Sequence, residues 1–201
     1  MLNISGKIDQ NTIESLGIVD EVAKKMGTPY LVVGATARDM LMHFGYGAAV
    51  QRATADLDFA IQLPDWETYA SITDRLVVFG FKRSKQQQRL FGPGAMPIDL
   101  VPFGGVADDS SNIRWPPTGE TVMDVTGFQD AYASSIQVTV RETPVLNIPI
   151  ASPQGQVLLK LIAWSDRDAD LRQKDAKDIA YLLMNYQIVG GVLERLYELM
   201  V

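Results

Sequence analysis

Asp56 and Asp58 flank Leu57 in the stretch Asp56-Leu57-Asp58-Phe59-Ala60-Ile61. Residues two apart on a strand point to the same face, so a strand here aims both carboxylates one way and Leu57 the other. Two carboxylates aimed together suit a hard cation. In a chain with 24 acidic residues such a pair also arises by chance, and by itself it reads as a surface pair. Asp99 is more informative: it stands among Ile98, Leu100 and Val101, where an ionised carboxylate is costly to bury without a partner. The plain alternative is an edge strand that turns Asp99 to water. Three carboxylates on neighbouring strands would hold two magnesium ions, one activating an attacking hydroxyl and one steadying a triphosphate as pyrophosphate leaves.

Phosphate chemistry also needs donors. Gly34 ends the apolar run Tyr30-Leu31-Val32-Val33 and precedes a helix-forming stretch, which lets the backbone approach a ligand while helix N-terminal amides face its charge. Thr36 adds a hydroxyl. A glycine after a strand is ordinarily just a turn; its force here comes from the order of strand, glycine turn, helix, carboxylate strand and third carboxylate. Lys160 interrupts the apolar run Val157-Leu158-Leu159 and Leu161-Ile162-Ala163, with a snorkelling lysine as the ordinary alternative. Lys174, Asp175 and Asp178 fall at helical spacings that a salt-bridged helix surface would also produce.

The elements that must position these residues follow from periodicity. Ile13, Leu16, Val19 and Val22 predict an amphipathic helix over residues 12–26, stopped by Gly27-Thr28-Pro29. A strand at 30–33, a tight turn and a helix over 35–43 come next. Further strands are expected at 57–61, 89–91 and 98–101, the last two joined at Gly92-Pro93-Gly94, with a helix over 66–79 between. Residues 104–119 are rich in Gly, Asp, Ser and Pro and predict a long exposed loop. Short strands follow near 121–125, 136–140 and 145–148. Ser152-Pro153 then opens a helical stretch, with helices to about residue 167, over 171–185 and over 189–200. The expectation is an α+β fold: a mixed sheet flanked by helices over residues 1–150, and a C-terminal helical portion over 151–201.

Composition narrows the chemistry. The chain of 201 residues has no cysteine and one histidine, so thiolate and histidine-rich metal sites are excluded and any metal must take oxygen ligands. A net charge of −6 argues against a generally basic nucleic-acid surface. Two local basic stretches remain, Lys82, Arg83, Lys85 and Arg89, read as a solvated face, and Lys160, Arg167, Arg172, Lys174 and Lys177. No apolar run reaches the ~20 residues of a membrane span, and no signal peptide is evident, so a cytoplasmic protein is expected. His43 reads as a helix C-terminal cap, and Trp66 and Trp164 as packing residues. Trp115, beside Arg114, stays open as a contact to a nucleotide or acceptor.

The pieces Val32-Val33-Gly34-Ala35-Thr36-Ala37-Arg38-Asp39, Arg52-Ala53-Thr54-Ala55-Asp56-Leu57-Asp58 and Pro97-Ile98-Asp99-Leu100 resemble, in that order, the polymerase β-like nucleotidyltransferases. Lys160-Leu161-Ile162-Ala163-Trp164, Arg167 and Lys174-Asp175-Ala176-Lys177-Asp178 extend the resemblance to AbiEii-type members, which include toxins of toxin–antitoxin systems. The resemblance implies a polymerase β-like core and transfer of a nucleoside monophosphate from a nucleoside triphosphate to a hydroxyl. The acceptor would be RNA such as tRNA, a protein side chain or a small molecule, and an antitoxin would be a partner. Asp56, Asp58 and Asp99 would bind magnesium, and Asp99 would help activate the acceptor. Gly34, Ala35, Thr36, Arg52, Thr54, Lys160, Lys174, Asp175 and Asp178 would make the nucleotide-contacting set. Ala35 departs from the second Gly or Ser usual in the family and removes a hydroxyl donor. A nucleotide- or partner-binding protein with weak or no turnover is the alternative, against which the cost of three uncompensated like charges weighs.

Overall fold

The computed structural model describes residues 1–50 and 56–198. Arg52 and Thr54 lie outside them. A short strand β1 (Leu2–Asn3) leads to helix α1 (Gln10–Met26), whose N-cap Asp9 accepts from the Thr12 amide and extends the helix ahead of the expected start. Strand β2 (Tyr30–Val33) turns at Gly34 into α2 (Gly34–Arg38), which continues as a π-helical turn over Asp39–Gly45. Next come β3 (Leu57–Gln62), α3 (Trp66–Val78), β4 (Lys82–Arg83), β5 (Arg89–Phe91) and β6 (Pro97–Phe103). Beyond β6 stand β7 (Asn112–Arg114), β8 (Val122–Asp124), α4 (Phe128–Ala133), β9 (Ile136–Glu142) and β10 (Val145–Ile150). Helices α5 (Pro153–Asp166), α6 (Ala169–Met184) and α7 (Val192–Glu198) follow. Ser152 caps α5 through the Gly155 amide, with Pro153 in the first turn.

Eight strands form one mixed sheet in the order β1-β9-β10-β2-β3-β6-β5-β4. Its centre is β2 antiparallel to β3 and β3 parallel to β6. Leu57, Phe59 and Ile61, alternate residues of β3, are buried with Ile98 and Leu100 of β6 and with the apolar stripes of α1 and α3. This core fixes strand register, because a slip of one residue would exchange buried and exposed faces.

The long exposed loop expected over 104–119 is not what forms. Asn112–Arg114 pairs with Val122–Asp124 in a separate two-stranded ribbon, and Trp115 is only 2% exposed. Its ring packs 5.2 Å from that of Trp66 and 5.5 Å from that of Tyr69, so it is a core residue and no exposed platform for a ligand. The polar composition of the segment concealed one buried aromatic anchor. His43 lies at the end of the π-helical turn, where its Nδ1–H donates to the Ala48 carbonyl at 2.7 Å.

Candidate active site

Register brings the acidic residues together. Val33 of β2 lies opposite Asp58 of β3, and Asp58 lies opposite Asp99 of β6. On the far side of β6, Asp99 faces Arg89 of β5. Asp58, Asp99 and Arg89 therefore form a row across three adjacent strands, with Asp56 just before β3. The Arg89 guanidinium grips both Asp99 oxygens, Nε to Oδ1 and Nη2 to Oδ2, each at 2.7 Å, and Nη2 also stands 3.9 Å from Asp56. The reading of Arg89 as part of a solvated face is thus corrected: Lys82, Arg83 and Lys85 are exposed, while Arg89 is half-buried and turns to Asp99.

Gly34 supports the row from β2. Its φ of +75° suits glycine, and a Cβ there would lie 1.9 Å from Asp58 Oδ2, so any side chain would displace the carboxylate. Thr36 donates its hydroxyl to the Asp56 carbonyl at 2.6 Å and so anchors the start of the acidic strand. Burial first, then the charges of Asp56 and Asp99, push the Asp58 carboxyl up to about 7, with Lys160 and Arg89 opposing the shift.

The opposite wall is helical. Lys160 Nζ of α5 stands 3.0 Å from Asp175 Oδ1 and 2.9 Å from Asp178 Oδ2, both on α6. Arg167 holds the other Asp175 oxygen at 2.8 Å, and Arg38 holds the other Asp178 oxygen at 2.6 Å. Arg38 is itself 2% exposed and also donates to Asp39. The two acids are buried and paired, Asp175 0% exposed and Asp178 2%, so a salt-bridged helix surface does not describe them, and Lys160 is ion-paired to both rather than snorkelling; Lys174 is exposed. Cation–carboxylate bonds of this kind are the strong class of hydrogen bond, and here they pin the ammonium of Lys160 at the cleft.

Between the two walls runs a cleft of about 560 Å³. Gly34, Ala35, Asp56, Asp58, Asp99 and Lys160 line it, as do Lys174 and Asp178. Asp175 stands behind this lining, where it holds Lys160, and Thr36 faces a neighbouring cavity. Sequence reasoning assigned no role to Arg89 or Arg38. For Arg89 a signal existed: two strands flanking one turn pair antiparallel, and counting outward from Phe91 and Pro97 sets Arg89 opposite Asp99. For Arg38 there was none, since its partner Asp178 lies 140 residues away.

Among the described residues no group of three or more histidine, aspartate or glutamate side chains is already drawn into a coordinating cage. The donor set nonetheless fits a hard divalent cation: carboxylate oxygens of Asp56, Asp58 and Asp99 lie close together, and burial together with the charges of Asp56 and Asp99 raises Asp58.

The family described as the nucleotidyl transferase AbiEii toxin of type IV toxin–antitoxin systems matches residues 22–200. This chain belongs to that family. The AbiEii match spans the whole row of carboxylates and both cationic helices. No curated protein matches significantly. Among solved structures, an antigenic nucleotidyltransferase-like protein from Paracoccidioides brasiliensis is 16% identical with a TM-score of 0.53, covering 87% of this chain and 76% of its own. The lincosamide antibiotic adenylyltransferase LnuA, bound to lincomycin, is 20% identical with a TM-score of 0.49, covering 84% of this chain and 94% of its own. The AbiEii-family chain is a nucleotidyltransferase with a polymerase β-like core. None of its helices, among the described residues, is long and apolar enough to cross a membrane.

Proposed function

We propose that the protein moves a nucleoside monophosphate from a nucleoside triphosphate to a hydroxyl acceptor, with magnesium held by Asp56, Asp58 and Asp99. The observation that carries this reading is the row of Asp58 and Asp99 on adjacent strands, facing Lys160 and Lys174 across one cleft. Magnesium bound there supplies charge neutralisation for the triphosphate and lowers the pKa of the acceptor hydroxyl.

The chain's own residues do the rest. Lys160, held by Asp175 and Asp178, presents a fixed ammonium to the phosphates, and Lys174 at the cleft rim adds a second. Gly34 and Ala35 let the backbone come close to the phosphates without a bulky side chain in the way. Asp99 takes the proton of the acceptor hydroxyl. The acceptor oxygen bonds to the α-phosphorus, the bond from that phosphorus to the bridging oxygen breaks, and pyrophosphate leaves. Charge placement of this type contributes most of the rate in phosphoryl transfer.

RNA such as tRNA, a protein side chain and a small molecule are the acceptor classes to test, and a protein antitoxin is the partner the family context suggests. Wild-type protein, Asp56→Ala and Asp58→Ala would be incubated with magnesium and each α-labelled triphosphate in the presence of small RNA, protein and small-molecule fractions. Label appearing in one fraction with wild type and in none with the variants is the expected result. Equal labelling by all three proteins would sink the proposal.

A further inference from the structure

Arg89 stands where positive charge is most needed in the acidic row. Its fork meets Asp99 with two parallel hydrogen bonds of 2.7 Å and approaches Asp56 at 3.9 Å, so one guanidinium lies against two of the three carboxylates. A guanidinium stays protonated at any working pH, so this contact ends by displacement and never by proton loss. A divalent ion drawn to the same carboxylates would sit a few ångströms from that charge, and the two cations would repel.

The fold gives Arg89 somewhere to go. Asp99 sits on the seven-residue strand β6, which is paired on both sides, with β3 and β5. Arg89 begins the three-residue strand β5, whose outer neighbour β4 has two residues and ends the sheet. The Arg89 side chain is 27% exposed, against 15% for Asp99. The acid is therefore held by the core while the base is on a short, outlying strand with a path to solvent.

We infer that Arg89 is the resident counter-ion of Asp99, a positioning residue that keeps this carboxylate aimed in the metal-free protein and that the incoming metal ion must displace. The inference rests on the metal-dependent reading of the cleft. It makes metal entry an exchange of one cation for another, so Asp99 has two partners in turn, and the strength of the arginine fork sets how much metal the enzyme needs.

The test uses the full-length protein with metal ion alone and no nucleotide. Manganese affinity is measured by electron paramagnetic resonance for wild type, Arg89→Lys and Arg89→Gln. The Arg89 Nε–H resonance, identified by its loss in Arg89→Lys, is followed during a magnesium titration. Lysine keeps the charge but not the two-pronged bond, so a purely electrostatic role predicts wild-type affinity for Arg89→Lys. Displacement predicts that Arg89→Lys binds manganese about tenfold more tightly, Arg89→Gln more tightly still, and that the Nε–H signal shifts and exchanges with solvent as magnesium saturates. Metal binding that leaves the resonance unmoved and gives Arg89→Lys the wild-type affinity overturns this inference alone. No manganese binding by any of the three proteins overturns it together with the metal-dependent reading.

Discussion

The two walls of the cleft carry opposite kinds of electrostatic order. On the helical wall Arg38, Lys160 and Arg167 are matched against Asp39, Asp175 and Asp178, with buried acids touching cations on each side. On the sheet wall Asp56, Asp58 and Asp99 share Arg89. The balanced wall is built to stand by itself. On the sheet wall the carboxylates lie close together, and burial with the charges of Asp56 and Asp99 raises Asp58, the kind of perturbation that clusters at functional sites. A carboxylate therefore means different things on the two sides, and removing one should have opposite consequences.

The largest effect is expected from the sheet wall's chemistry. Asp58→Ala and Asp99→Ala should each lower nucleotidyl transfer by about a thousandfold with unchanged circular dichroism, the scale seen when a charge-stabilising group is removed. A variant retaining a tenth of wild-type turnover would show that the row is not the reacting centre. Asp178→Ala should act mainly on folding: it takes away one of the carboxylates that hold the buried Arg38 guanidinium, and breaking such a pair costs about 3–5 kcal/mol in urea unfolding. Little loss of stability there would erase the contrast between the walls.

Gly34→Ala should come next, with a loss of about a hundredfold in transfer from a carboxylate displaced by roughly an ångström, and a crystal structure showing Asp58 moved. The smallest effect is a pH dependence of the metal-free protein. Asp58 ionises at about 7 in the fold and near 4 when unfolded, so between those values the native state holds the extra proton. Its penalty is absent below the unfolded value, grows as pH rises and is complete above about 7. Urea unfolding in a chelator should show lower stability at pH 8 than at pH 5.5 from this group. Asp58→Asn should flatten that difference, and magnesium should restore wild-type stability at pH 8. An Asp58→Asn protein less stable than wild type at pH 8 without metal would place Asp58 with the balanced wall instead.

What was legible in the sequence was local. Asp56 and Asp58 stood out by their same-face spacing on a strand, Asp99 because a carboxylate within an apolar run conflicts with its surroundings, and Gly34 because it punctuates a strand. The order of core elements followed from hydrophobic period and turn residues. What was missed depended on pairing across distance. Arg89 matters because β5 meets β6 in one register, and composition placed it with exposed neighbours. A solvated surface stayed open as an alternative for the helical wall, since the spacing of Lys174, Asp175 and Asp178 does not reveal that the two acids face inward to Lys160 and Arg38. Trp115 was hidden for the same reason: its partners Trp66 and Tyr69 come from a helix about fifty residues earlier.

The row of Asp58, Asp99 and Arg89 runs across strands from three separate stretches of chain, and the cations facing it come later still, from α5 and α6. During synthesis the acidic strand emerges about a hundred residues before Lys160, so a growing or truncated chain holds the repelling charges without the helices that oppose them. In the proposed reading, transfer waits until α5 and α6 dock against the sheet. Copies that stop before α5 should be inert, which makes docking of these helices a safeguard on when the proposed chemistry is released.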